Sequence, residues 1–126
     1  MSMFIKNQFN EYVKVDNIIA IEVVETVQGS SLNIYTEKSM MSKDALYGDA
    51  SEAANALLHH MRDRLPIHIL HIGNYYLVIE AIDSIMMDAY GVRVKTAAQD
   101  IGIVLDENAR KAAEHHLKHY LPVFDF

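Results

Sequence analysis

Histidine is the residue type whose number and spacing in this sequence come closest to a chemical site. The chain has seven histidines, and four of them form two adjacent pairs, His59-His60 and His115-His116. His119 follows His115 by four positions, which places both imidazoles on one side of a helix. Imidazole nitrogen is the commonest protein ligand of transition metals. These five histidines are therefore the candidate metal ligands of the sequence.

The spacing of these histidines also has a simpler interpretation. Neighbouring residues on a helix point about 100° apart, so neither adjacent pair can chelate a metal alone. The two pairs converge only if the helices that carry them pack together. Asp63 follows His59 by four positions, where the second pair has His119, so the two sets differ. Partly buried histidines on helix flanks are the interpretation we prefer, and a histidine metal site is kept as an alternative.

Other residue types offer less chemistry. Asp16 and Glu80 lie at bends between apolar stretches, where a carboxylate accepts hydrogen bonds from backbone N–H groups more often than it catalyses. The absence of cysteine excludes disulfides, thiolate zinc sites and cysteine nucleophiles. The five glycines are scattered, so no glycine-rich phosphate loop is present. We predict no catalytic residues, no enzymatic activity and no cofactor.

Length and charge narrow the class of protein further. The 126 residues, 51% of them hydrophobic and 22% charged, suit a single globular domain over residues 1–126. The net charge of −6 disfavours nucleic acid as a partner, because such binding depends on neutralising phosphates. No apolar run approaches the roughly 20 residues of a membrane span, and the first residues lack a signal peptide's apolar region. We expect a cytoplasmic protein with no membrane partner.

The elements that must position any site follow from an internal repeat. At a shift of 64 positions, the pattern Tyr-apolar-x-apolar-acid-x-Ile-x-x-Ile that begins at Tyr12 recurs at Tyr76. A second block matches at a shift of 60, around Thr36 and Thr96. The two histidine pairs match at a shift of 56. Three matched blocks in the same order indicate two copies of one unit.

We assign the copies to residues 4–66 and 67–122, followed by a tail at residues 123–126. Each copy has short apolar-alternating segments separated by turn residues, followed by apolar residues at helical spacing. Successive strands joined by short turns pair antiparallel. The sequence therefore predicts an α+β fold of two tandem β-β-β-α repeats, with one helix packed on each and a pseudo-two-fold axis between them.

The predicted elements have definite bounds. The first copy has a helix from Asp49 or Ser51 to Leu65, and the second has one from Asp106 to Leu121. The predicted strands lie at 12–15, 18–24, 32–36, 67–72, 75–80, 82–89, 91–96 and 101–104. The four repeated isoleucines are expected in the core, and Ile85→Ala is expected to destabilise by about 2–5 kcal/mol: Ile18, Ile21, Ile82 and Ile85.

The segment from Tyr12 to Glu22, followed by a hairpin, Leu32–Thr36 and a helix, resembles two kinds of small bacterial module. One is the FlbD-like group of short β-β-β-α proteins, and the other is the LytTR-type DNA-binding domain. The second resemblance implies a DNA-binding regulator. In the later LytTR segment, which matches the stretch that begins at His71, this chain lacks the family's arginine and the asparagine after it. Those residues contact DNA in the family.

The function that we predict is a non-enzymatic, cytoplasmic protein-interaction or self-association module. A homodimer or a complex with another protein is the expected state. The alternatives are a LytTR-like DNA-binding regulator and a histidine metal site. The predicted interface residues are Phe124 and Phe126, because an extended tail with Asp125 between them presents both rings to one side.

A chain that ends at Leu121 tests this assignment of the tail. We expect truncation to lower both association and stability, because the tail is predicted to pair at an open sheet edge. Size-exclusion chromatography with light scattering measures the first effect, and urea unfolding measures the second. A truncated chain that matches the full chain in both would mean that the tail is a frayed end.

Overall fold

The computed structural model describes residues 3–6, 9–27, 29–44 and 50–124. Ten strands and two α-helices are present in this part of the chain, in an α+β fold as predicted. The elements are β1 (Phe4–Lys6), β2 (Tyr12–Lys14), β3 (Ile18–Thr26), β4 (Gly29–Thr36), β5 (Met40–Asp44), α1 (Ala50–Arg64), β6 (Ile69–Ile72), β7 (Tyr75–Val78), β8 (Ile82–Met87), β9 (Gly91–Thr96), β10 (Asp100–Val104) and α2 (Glu107–Tyr120). Short 3₁₀ helices at Val15–Asn17 and Ile79–Ala81 precede β3 and β8.

The strands form three sheets in which every described pair is antiparallel. A five-stranded sheet has the order β5-β4-β3-β7-β6, a three-stranded sheet has the order β10-β9-β8, and β1 pairs with β2. The prediction of mainly antiparallel sheet is confirmed. The β6–β7 hairpin follows α1 in sequence, yet it joins the strands that precede α1. The β7–β3 pairing therefore connects the two halves of the chain.

Both faces of the five-stranded sheet are covered, because its strands alternate between two apolar clusters. In β7, for example, Tyr76 and Val78 point to one cluster while Tyr75 and Leu77 point to the other. Cluster 1 joins one face to α1 and contains Val15, Ile18, Ile21, Val23, Leu32, Ile34, Met41, Ala50, Ala54, Leu58, Met61 and Val78. Cluster 2 joins the other face to β9, β10 and α2 and contains Ala20, Leu70, Ile72, Tyr75, Leu77, Val92, Val94, Ile101, Ile103 and Ala113.

The helices begin and end close to their predicted positions. The Asp106 side chain caps α2 by accepting a hydrogen bond from the Ala109 N–H at 2.7 Å. Such a cap satisfies one of the donors that the first turn of a helix leaves unpaired. α1 begins at Ala50, and the predicted cap Asp49 lies outside the described residues. Each helix ends two residues before a proline, which cannot continue a helix.

One part of the sequence prediction requires correction, and another is not confirmed. Five strands precede α1, where three were predicted, because β1 and β5 were missed, whereas the five strands predicted before α2 are all present. β1 is three residues long, and β5 begins Met-Met-Ser, so neither carries the β-branched alternation that marks a strand. The sheet pairing also lacks the predicted pseudo-two-fold: β7 pairs with β3, whereas in the described chain β2 pairs with β1 alone and β8 with β9 alone.

The repeated isoleucines differ in burial for the same reason. Ile18 and Ile21 are buried in cluster 1, as predicted. Ile82 and Ile85 pack against cluster 2 but are only half-buried. β3 has a strand on each side, whereas β8 has a described neighbour on one side only. Ile18 and Ile21 therefore lie in the core as expected, whereas Ile82 and Ile85 lie at its margin, on a strand with one open edge in the described chain.

Alanine substitutions at matched positions test this difference. Ile21→Ala should destabilise by about 2–5 kcal/mol, and Ile85→Ala by roughly half as much, because a half-buried side chain loses less contact area. Urea unfolding at low protein concentration measures both. Equal losses would contradict the uncovered edge of β8.

Candidate interaction surface

The structure places the candidate histidines on two helices that belong to different clusters. α1 packs in cluster 1 and α2 in cluster 2, so the two histidine pairs do not share a core. Nε2 of His59 lies 3.4 Å from Oδ2 of Asp63, and the rings of His115 and His119 are 4.2 Å apart between centroids. His116 instead lies against Tyr120, with 4.5 Å between ring centroids.

His60 is half-buried, and its Nε2 has no hydrogen-bond partner among the described residues. Within that part of the chain, no three His, Cys, Asp or Glu side chains are grouped so that they could hold a metal ion. The predicted interface residue Phe124 is 80% exposed and lies after α2, outside the described strands. Phe126 lies outside the described residues.

The joint between β7 and β3 is the best-formed contact between the two halves of the chain. Its register places Ala20 opposite Leu77, Ile21 opposite Tyr76 and Glu22 opposite Tyr75. Partial burial and a hydrogen bond with Tyr35 raise the pKa of Tyr75 well above its ordinary value, so its hydroxyl stays neutral.

Asn74 closes the end of this joint. Its backbone carbonyl accepts from the Val23 N–H, and its side-chain amide donates to the Val23 carbonyl, both at 2.8 Å. The Asn33 amide donates to Oε1 of Glu22 at 2.9 Å on the neighbouring strand. The backbone pairing is therefore supported by side-chain hydrogen bonds on both sides of β3.

The β6–β7 hairpin is also held at its open end, by Glu80. Oε1 of Glu80 accepts the His68 N–H at 2.7 Å, and Oε2 lies 2.8 Å from Nδ1 of the same histidine. Desolvation favours a higher pKa for Glu80, but the hydrogen bonds from His68 and the charge on its ring together lower it. The carboxylate therefore has the structural role that the sequence suggested for it.

The β1–β2 hairpin has one packed face and one exposed face. Ile5 and Val13, which are paired, pack against cluster 1. On the other face, Phe4 is 48% exposed and Tyr12 is 66% exposed. The Lys6 ammonium lies 5.8 Å from the centre of the Tyr12 ring. Two exposed aromatic side chains on a two-stranded hairpin form an apolar surface that a further chain can cover.

In the β6–β7 hairpin, by contrast, both faces pack against apolar clusters. Its inward pair is Leu70 and Leu77, in cluster 2. Its other face carries Ile69, Tyr76 and Val78, and all three pack in or against cluster 1. Tyr76 therefore packs against cluster 1, whereas the Tyr12 ring, on the outer face of the β1–β2 hairpin, is 66% exposed.

An open groove of about 410 Å³ lies between the β1–β2 hairpin and the turn after β4. Phe4, Tyr12 and Val13 line one side, and Thr36 to Ser39 line the other. β8 presents a second open surface: Met86 is 55% exposed, and Ile85 and Met87 are half-buried. The candidate interaction surface therefore consists of the outer face of the β1–β2 hairpin and the outer edge of β8.

Comparison with known proteins adds no assignment. No family model matches the chain, and neither does any curated protein or solved structure. The resemblances to FlbD-like and LytTR-type modules therefore stay predictions from the sequence. No described helix combines the length and apolar character that crossing a membrane requires.

Sequence reasoning pointed to the tail and missed this surface. The match of Tyr12 with Tyr76 is the sequence signal that bears on it. If the two segments are copies, a strand that has a partner in one copy is expected to need an equivalent partner in the other. This inference needs the observation that β7 pairs with β3, which the sequence alone does not provide.

Glu80→Gln tests the contribution of the carboxylate. A lowered pKa means that the folded state favours ionised Glu80, so its stabilising effect is present above the unfolded-state pKa and is lost as pH falls through the folded-state value. In Glu80→Gln, the free energy of unfolding should therefore fall less between pH 7 and pH 3 than it does in the unchanged chain. Urea unfolding from pH 7 down to pH 3 measures the slope. A slope equal to that of the unchanged chain would contradict the prediction.

Proposed function

We propose that the protein is a non-enzymatic interaction module that self-associates by adding a strand to an open sheet edge. One observation carries this proposal: β3 is covered by β7, whereas the corresponding edge of β8 is uncovered in the described chain. Main-chain hydrogen-bonding groups along an open edge are available to another strand, and natural proteins seldom leave a flat apolar edge unprotected.

The proposal includes duplication of one unit, and three local features support it. The order β-β-3₁₀-β-β-β-α occurs over residues 4–64 and again over 69–120. A bulge interrupts the β3–β4 register between Ile18 and Ala20, and another interrupts β8–β9 between Ile82 and Ser84. These two bulges are 64 positions apart, which is the shift that aligns Tyr12 with Tyr76.

The third feature is a threonine turn that closes each β-meander. The Thr36 N–H donates to the Ser39 carbonyl at 2.8 Å, and the Thr96 N–H donates to the Gln99 carbonyl at 2.9 Å. Each threonine hydroxyl also accepts from the N–H three residues later, at 3.1 and 3.0 Å. The shared turns and bulges support β3 and β8 as equivalent strands that need equivalent neighbours.

The charge of the uncovered edge is compatible with a protein partner. β8 has one charged residue, Asp83. The rest of the strand is uncharged: Ile82, Ser84, Ile85, Met86 and Met87. Charges, a proline or a bulge usually protect an edge strand that must stay single. β8 has a bulge between Ile82 and Ser84, but β3 has one at the matching position and is nevertheless paired with β7. The tail residues Phe124 and Phe126 stay in the proposal as a second contact, because Phe124 is exposed next to the end of α2.

Light scattering on the full chain and two edge variants tests the proposed function. We expect a mass above that of the monomer, rising with concentration. Met86→Glu should lower this association, because it places a charge on the β8 edge. The matched control is Val104→Glu, on β10 at the opposite edge of the same sheet, where Val104 is 86% exposed.

Association equal to that of the unchanged chain is expected for Val104→Glu. A chain that stays monomeric up to millimolar concentration would overturn self-association. Equal loss in both variants would assign the effect to general surface charge and not to β8.

A further inference from the structure

The uncovered edge of β8 can be assigned a specific occupant, and this inference rests on the proposed function. We propose that β2 of a second copy pairs antiparallel with β8, so that Tyr12 of one chain lies opposite Ile85 of the next. The proposed contact has the same antiparallel register as the pairing of β7 with β3, but it forms between two chains instead of within one.

The existing joint supplies the register. In it, Ala20, Ile21 and Glu22 of β3 lie opposite Leu77, Tyr76 and Tyr75 of β7. Adding 64 to the residue numbers of β3 gives positions in β8, and subtracting 64 from those of β7 gives positions in or next to β2. The resulting opposed pairs are Ser84 with Val13, Ile85 with Tyr12 and Met86 with Glu11. This register keeps both bulges and both hairpins at the positions that the shift of 64 matches.

The side chains at these positions fit the contact. In the existing joint, Tyr76 and Ile21 are opposite each other and both contribute to cluster 1. Ile85 and Met87 already pack against cluster 2 but are half-buried. The Tyr12 ring, which is 66% exposed, would lie on Ile85 and Met87 and complete the burial of cluster 2 at that edge.

Two residues of opposite charge lie beside the three opposed pairs. Lys14 follows Val13, Asp83 precedes Ser84, and both are exposed in the single chain. In the existing joint, the corresponding residues are Val78 and Ile19, which are both buried. The β3 and β8 bulges leave Ile19 and Asp83 out of the strand registers, so Lys14 and Asp83 would attract each other from neighbouring and not from directly opposed positions.

The contact is head-to-tail, because the hairpin belongs to the first unit and β8 to the second. A two-fold axis within the chain would join β2 and β8 of the same molecule, and the described sheets do not pair them. Head-to-tail contacts continue from chain to chain until a ring closes. Two chains that each cover the other's β8 form the smallest ring, which contains four units.

Single-cysteine variants test the contact directly, because the natural chain has no cysteine. Chains with Glu11→Cys are mixed with chains with Met86→Cys and oxidised mildly. Cross-strand neighbours have Cβ atoms close enough for a disulfide. We expect a disulfide-linked dimer in the mixture, and we expect it to be lost when Val104→Cys replaces Met86→Cys. A single-cysteine chain cannot cross-link within itself.

A charge exchange provides a second readout that does not depend on disulfide geometry. Met86→Glu places two carboxylates opposite each other if Glu11 is the partner. Adding Glu11→Lys to the same chain should then restore association, because the opposed pair becomes attractive. The matched control is Glu11→Lys in the otherwise unchanged chain, which should associate no more strongly than that chain, because the uncharged Met86 then lies opposite the lysine.

The outcomes separate this inference from the proposed function. Association without the mixed disulfide and without rescue would overturn β2 as the occupant, while self-association stands. If a chain that carries both cysteines cross-links within the monomer, while the mixed single variants do not cross-link, then β2 covers β8 of its own molecule and the head-to-tail contact is wrong. A strictly monomeric chain would overturn both proposals.

Discussion

The antiparallel pairing of β7 with β3 is the interaction on which the rest of the structure depends. It joins the strands before α1 to the strands after it, and it places a hairpin between two apolar clusters. Without that pairing, cluster 1 would lose Tyr76 and Val78, and one edge of β3 would face solvent. A hairpin of two strands is marginal in water, so the packing on both of its faces is what stabilises β6 and β7.

The same pairing makes the burial of β3 and β8 uneven. β3 has β7 beside it, whereas β8 has a described neighbour on one side only, and Ile85 is half-buried where Ile21 is buried. Tyr12, on the β1–β2 hairpin, is 66% exposed. We propose that both exposures result from one contact that self-association supplies through the same type of strand pairing.

Much of the fold could be predicted from the sequence, because period-two alternation and capping residues act locally. The helix that starts after Asp106, and the strands of the second half, follow from such signals. β1 and β5 could not be predicted, because three residues or a methionine-rich segment carry no clear period. The pairing of Tyr76 with Ile21 could not be predicted either, because the edge that a hairpin joins depends on contacts between residues that are 55 positions apart here.

Concentration-dependent hydrogen exchange tests the central claim most directly. If β2 of a second copy covers β8, the amide protons of both strands gain protection as concentration rises, and those of β10 do not. Residue-resolved exchange at a dilute and a concentrated condition therefore separates the two edges of one sheet. The account predicts added protection from Tyr12 to Lys14 and from Asp83 to Met87. Protection that does not change with concentration in either segment would contradict it.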